Sequence, residues 1–169
     1  MLTYKQKLAF VAQIAPAAQA SQAKYGVPAS ITIAQAILES SDRNGNWGRS
    51  GLAVSCNNFF GIKARAGEEY AEYATTEDPD GPGPKPPIPA RAKFRRFRSV
   101  AESFDRHAQL LASLRRYQPA MAVASDPLRF AAQLQRCGYA TDGKYPGKLA
   151  DLISNFDLTK YDRATKEAA

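Results

Sequence analysis

Six of the chain's eleven prolines (Pro79, Pro82, Pro84, Pro86, Pro87 and Pro89) crowd into one short stretch, Asp78 to Pro89. Proline fixes φ and has no N–H to give, so this stretch can be neither a central strand nor a helix interior. Its flanks, Tyr70–Thr76 and Ala92–Phe97, carry the β-like residues, so the expectation is a hairpin or small lobe with a rigid, exposed tip. On both sides of that lobe the pattern is helical. Tyr4 to about Tyr25 is rich in Ala, Gln and Lys, good helix formers, with Leu8, Val11, Ile14 and Ala18 at helical spacing. Pro16 predicts a bend or a split in this helix, and Gly26 a left-handed stop. A second helix is expected to open at Pro28, to show an apolar face of Ile31, Ala34, Ile37 and Leu38, and to end soon after Ser41. Asp42 to Asn58, rich in Gly, Asn and Ser, reads as an ordered loop around Trp47.

Three helices are expected to close the chain. Ser99 and Glu102 form a capping box that opens a helix to about Leu114, with Phe104, Ala108 and Leu111 inward. Asp126-Pro127 is an N-cap followed by a first-turn proline, and Gly138 ends that helix. Tyr145 to about Phe156 supplies the last, with Leu149, Leu152 and Ile153 on one face. The expected architecture is mainly α (α+β): five or six helices with a β-lobe over about 64–98, in one domain spanning 1–169.

Charge and composition narrow the classes. Hydrophobic residues make up 44% and charged residues 23%, which excludes a disordered tail. No apolar run approaches the ~20 residues that cross a bilayer. The net charge of +7 favours an anionic partner and does not choose among nucleic acid, lipid and acidic cell wall. The basic residues are scattered, apart from Arg95, Arg96 and Arg98 and the pair Arg115 and Arg116. No basic stripe is interleaved with stacking aromatics, which argues against nucleic acid. With two cysteines and one histidine, zinc ligation of the usual kind is not expected, nor any cofactor. Cys56 and Cys137 can pair in an oxidising compartment or remain two thiols; both readings stay open. Met1 to Phe10 lacks the apolar core of a signal peptide.

Glu39 is the first candidate for chemistry. It stands at the end of an apolar helix, where the negative end of the helix dipole disfavours ionisation, and partial burial would raise its pKa further. A carboxylic acid that keeps its proton near neutral pH suits cleavage of a glycosidic bond. A second carboxylate would come from Glu68, Glu69, Glu72, Glu77, Asp78 or Asp80, which periodicity alone does not rank.

Several blocks then carry a resemblance: Tyr25-Gly26-Val27-Pro28, Ala34-Gln35-Ala36-Ile37-Leu38-Glu39-Ser40, Trp47-Gly48-Arg49-Ser50 and Asn57-Asn58-Phe59-Phe60-Gly61-Ile62-Lys63. They continue with Lys93-Phe94-Arg95, Arg116-Tyr117, Gly138-Tyr139-Ala140-Thr141-Asp142 and Tyr145. In this order the chain resembles the glucosaminidase family of peptidoglycan hydrolases, glycoside hydrolase family 73, over nearly its whole length. The resemblance implies a lysozyme-like helical domain with a small inserted β-hairpin lobe and no cofactor or metal. It implies Glu39 as general acid, Glu77 as the second carboxylate on the lobe and Asp105 as a further contributor. Tyr139 would face the sugar, Asn58 and Phe60 would shape the floor, and Trp47 would pack behind Glu39 or stack on sugar. The sequence departs from the family at Asp78, where an aromatic is expected, and in the length of the Pro-rich stretch.

The activity so implied is cleavage of the β-1,4 bond between N-acetylglucosamine and N-acetylmuramic acid. Alternatives of the same fold are a lytic transglycosylase or muramidase; one of another class is a non-catalytic wall-binding module. The expected partner is the peptidoglycan glycan strand, met by a monomer in the periplasm or cell wall, with +7 of charge holding it there less firmly as salt rises. Export without a signal peptide would then use phage lysis through a holin, a dedicated secretion apparatus with an immunity protein, or a parent protein.

Overall fold

A computed structural model of the chain describes residues 2–77 and 88–162, the side chains of Thr76, Glu77 and Ile88 excepted. The expected tip at 78–87 lies outside the described residues. In chain order the elements are α1 (Tyr4–Tyr25), α2 (Ala29–Ser40), α3 (Gly51–Cys56), β1 (Tyr70–Glu77), β2 (Ile88–Arg95) and α4 (Val100–Ser113). The short α5 (Gln118–Met121), α6 (Pro127–Arg136) and α7 (Tyr145–Asn155) follow. Single 3₁₀ turns lie at Arg115–Tyr117 and Leu158–Tyr161. The structure is thus mainly helical with one small two-stranded antiparallel sheet. None of its described helices is long and apolar enough to cross a membrane.

Local signals account for most element ends. Thr3 caps α1 in a reciprocal box with Gln6, and Gly26 closes it at φ +78°. Of the bend or split expected at Pro16, the split does not occur: α1 runs through the proline. It sits on the exposed side together with Ala12, whose carbonyl loses its helical partner where water can replace it. Ser99 caps α4 by accepting from the Glu102 N–H, while the Glu102 carboxylate accepts from the Arg98 N–H at 2.8 Å instead of from the cap residue itself. Asp126 caps α6 through the N–H groups of Leu128 and Arg129.

Helix α2 departs most from its sequence pattern. An apolar stripe was expected, yet every residue from Ala29 to Ile37 is buried. Helices α1, α6, α7 and the turn at Leu158–Tyr161 all pack against α2, so no face is left for solvent. Its polar side chains therefore find partners inside. The Thr32 hydroxyl donates to the Pro28 carbonyl (3.2 Å), and Gln35 Nε2 donates to the Tyr145 hydroxyl (2.9 Å). Pro28, the N-cap, offers no side-chain cap. Remote side chains substitute: Gln22 Oε1 accepts from the Ala29 N–H (3.3 Å), and Asp162 accepts from both the N–H and the hydroxyl of Ser30 (2.7 Å each).

The loop after α2 is ordered, as expected, but contains α3, which the Gly/Asn/Ser composition concealed. Asp42 accepts from the N–H groups of Asn44 and Asn46 (2.8 and 2.9 Å). Ser50 caps α3 through the Ala53 N–H. Gly48 is needed twice over: its φ is +68°, and a Cβ there would lie 2.4 Å from the Phe10 ring. Strands β1 and β2 pair from Tyr70↔Arg95 to Glu77↔Ile88. Each expected strand is present, with β2 set back toward Ile88 because Pro89 pairs on an edge, where its missing N–H costs no ladder bond. Cys56 and Cys137 are both unpaired thiols.

Candidate active site

A cleft of about 370 Å³ opens between α2, α4, the loop before β1, the Arg115–Tyr117 turn and the segment after α6. Glu39 is the one acidic side chain among its described lining residues. Buried α2, capped at its far end by Asp162, brings Glu39 to the cleft at its last turn. Glu39 is exposed by accessible surface, but that surface opens into a concavity walled by Phe60, Ile62 and Tyr139. Protein atoms therefore replace much of its hydration, and this burial raises its pKa above the usual carboxylate value. Burial is the one cause found among the described residues.

Beneath Glu39 runs a chain of polar aromatic groups. His107 Nε2 lies 3.1 Å from the Tyr139 hydroxyl, Tyr139 bonds to Tyr145, and Gln35 donates to Tyr145. His107 is fully enclosed, and burial lowers its pKa to about 3, so the ring is neutral. Its Nδ1 has no partner. The bonding that leaves the smallest debt puts the ring proton on Nε2, donating to Tyr139, and leaves Nδ1 an unpaired acceptor. Tyr139 then donates to Tyr145. Burial, with smaller help from Tyr145 and Glu39, raises the Tyr139 pKa well above the usual phenol value, so it remains a neutral donor. Phe60 lies flat on His107 (centroids 3.9 Å apart, 14° between planes) and edge-on to Phe104 at 5.0 Å. The result is a stiff aromatic wall in the same cleft as Glu39.

The remaining expected site residues separate. Asn58 is buried behind the cleft and spends its amide on the backbone: Nδ2 donates to the Ile62 and Arg95 carbonyls (2.9 Å each), and Oδ1 accepts from the Ile62 N–H (3.0 Å). It shapes the floor by holding residues 58–62 against β2. Trp47 is not at the cleft. It is buried between Phe10 and Phe156 (6.1 and 5.0 Å between centroids), with the Lys7 amine over its ring, so it packs and does not stack on sugar there. Asp105 also leaves the group: it faces α1 and pairs with Lys24. One residue further along α4 turns the side chain by about 100°, which puts Arg106 and His107 on the cleft and Asp105 off it. Glu77 ends β1, and its side chain lies outside the described residues.

Sequence reading missed His107, Tyr145 and the cleft cations Lys63, Arg65, Arg106 and Arg116. The single histidine, three residues after inward Phe104, was a signal for burial on α4. No comparable signal marked the cations, which come from three separate segments. Among the described residues no group of His, Cys, Asp and Glu could hold a metal.

A cleft with one desolvated carboxyl at a helix end is therefore in place, and comparison with known proteins points to a glycosidase. The family model described as mannosyl-glycoprotein endo-beta-N-acetylglucosaminidase, Glucosaminidase for short, matches residues 15–158. The exo-glucosaminidase LytG of Bacillus subtilis is 38% identical over 158 residues, covering 90% of this chain and 52% of that protein. The peptidoglycan hydrolase FlgJ of Pseudomonas aeruginosa is 37% identical over 149 residues, 85% of this chain and 35% of its own. Among solved structures, the catalytic domain of the autolysin Auto from Listeria monocytogenes superposes with a TM-score of 0.77 at 33% identity, covering 96% of this chain and 89% of that one. The chain belongs to the Glucosaminidase family. It spans about half the length of LytG and about a third of that FlgJ.

Proposed function

We propose that this chain is the catalytic unit of a peptidoglycan N-acetylglucosaminidase that hydrolyses the β-1,4 bond between N-acetylglucosamine and N-acetylmuramic acid. The observation that carries the reading is Glu39: a carboxyl held above its ordinary pKa by burial alone, in a cleft faced by Phe60 and Tyr139. It donates its proton to the leaving glycosidic oxygen, while water adds its hydroxyl to the anomeric carbon and gives up a proton. Glu77, on the lobe, takes that proton or stabilises the oxocarbenium-like centre. Four cations in the cleft favour an acidic glycan such as peptidoglycan over a neutral mannosyl one. The protein then acts where that polymer lies, in the periplasm or cell wall.

Digestion of purified peptidoglycan by wild type and Glu39→Gln, with mass spectrometry of the released ends, tests this. Clearing by wild type only, at a rate reduced about 10²–10⁴-fold in the variant, with new reducing N-acetylglucosamine ends, is the expected result. Anhydro-muramic ends would make the protein a transglycosylase, and equal clearing by Glu39→Gln would remove its proton donor. Because LytG is named an exo-glucosaminidase, product length decides the mode: long fragments early in digestion mark an endo enzyme, single terminal units an exo enzyme.

A further inference from the structure

Lys63, Arg65, Arg106 and Arg116 line the same cleft as Glu39, and among the described lining residues no second carboxylate joins them. Their bonds inside the protein differ. Arg95 next door is saturated by Glu68 and Glu102 (2.9 Å each). Arg116 rests on the Tyr117 ring, 4.5 Å from its centroid. Among the described residues Arg106 bonds to Gln109 alone, whose Oε1 accepts from Nη1 at 2.9 Å, and its buried Nε has no partner there. The acid whose charge reaches Arg106, Glu68, is already engaged by Arg95 and by the Arg65 N–H. Arg65 is exposed, close enough for its charge to repel that of Arg106, and pairs with no acid among the described residues.

Two guanidinium groups that repel each other, one with a desolvated and unanswered N–H, cost stability while the cleft is empty. A carboxylate between them would remove the repulsion and, with a turn of the Arg106 side chain that brings its buried Nε to the cleft, would satisfy the donor; the planar fork of arginine fits a carboxylate at two oxygens. The cations and Glu39 line one cleft, an arrangement that suits a polymer carrying acid groups beside its scissile bond.

We propose that Arg106 and Arg65 form a carboxylate-binding subsite that seats an acidic group of the substrate while Glu39 acts on the glycan. The inference rests on the peptidoglycan reading above. The carboxylate can belong to the peptide stem or to the lactyl group of a stripped muramic acid. Three soluble glycan oligomers separate these sources: one with stems, one stripped of stems so that the lactyl carboxylate is free, and one stripped with that carboxylate blocked as the methylamide.

The experiment measures kcat and KM of wild type, Arg106→Gln, Arg65→Gln and Arg106→Lys on all three, with thermal melts to confirm folding. Arg65 is exposed, so Arg65→Gln keeps the test alive if Arg106→Gln is poorly folded. The expected result is a rise in KM, about tenfold or more, on a carboxylate-bearing glycan relative to the blocked one, with kcat changing less. Arg106→Lys, keeping charge without the fork, should recover part of it. A selective rise on stem-bearing glycan assigns the stem; one on stripped glycan assigns the lactyl group. Equal losses on charged and blocked glycans would overturn the subsite while leaving the hydrolase reading intact. Failure of wild type to cleave any of the three would remove the hydrolase reading itself.

Discussion

Glu39 and Glu77, the two carboxylates given chemical roles, belong to unlike parts of the molecule. Glu39 ends a helix buried on every side, whose first N–H groups are held by side chains from α1 and from the end of the described chain. Glu77 ends a strand of the lobe, where Ala92 alone among the described strand side chains is buried. The lobe is fastened at its base through polar links: Tyr73 to Ser55 and Gly51, Asn58 to the Arg95 carbonyl, and Arg95 to Glu68 and Glu102. The difference suits the role proposed for each acid. A proton donor needs a desolvated, unchanging setting, which only a packed core provides. A carboxylate that aids water can be carried on a lobe held by hydrogen bonds, whose net worth is about 1 kcal/mol each.

The contrast should be plainest in stability. Phe130→Ala, in the body and wholly buried, is expected to cost about 3–5 kcal/mol in denaturant unfolding. Tyr73→Phe, which cuts a lobe link, should cost no more than about 1.5 kcal/mol. Similar losses at both would show the lobe to be part of the core. Next in size, Glu77→Gln should lower kcat on peptidoglycan roughly 10²-fold with little change in melting temperature; a drop of less than about threefold would take catalysis away from the lobe.

The pH dependence sharpens the description of the body. His107 has a folded pKa of about 3 against an ordinary value of 6.5. The stability it contributes is whole above the ordinary value and drains as pH falls toward about 3, at up to ~1.4 kcal/mol per pH unit. His107→Gln should flatten the fall in melting temperature between neutral pH and about pH 4, and an unchanged slope would mean that another group controls it. The smallest effect belongs to Glu39. Its pKa is raised on folding, so its favourable contribution is complete below the unfolded value of 4.5 and is lost as pH rises through the folded value. Glu39→Gln should therefore melt above wild type at pH 7, with the gap closing near pH 4. Identical melting at both pH values would show that Glu39 is not desolvated.

Much of the local structure was legible in the chain because its causes are local. Gly26, Ser99, Asp126 and Gly138 start or stop helices through contacts within a few residues, and the prolines of 78–89 ruled out a central strand or a helix interior by their own geometry. Glu39 could be picked out because a carboxyl in the last turn of an apolar helix is unusual in itself. Other assignments needed the fold. Whether Trp47 stacks on sugar or packs edge-on against Phe156, and whether Asp105 or Arg106 faces the cleft, depends on which neighbour each side chain meets. The polar residues of α2 looked like a solvent face until Tyr145 and Asp162 arrived from far along the chain to bond them. Most helix ends are decided by bonds between near neighbours, and the sequence by itself determined those, while the start of α2, held by Gln22 and Asp162, needed the fold. The cleft, with its neutral histidine and unpaired arginine, is a meeting of distant segments, and its desolvation and charge exist only once tertiary packing has excluded the water between them.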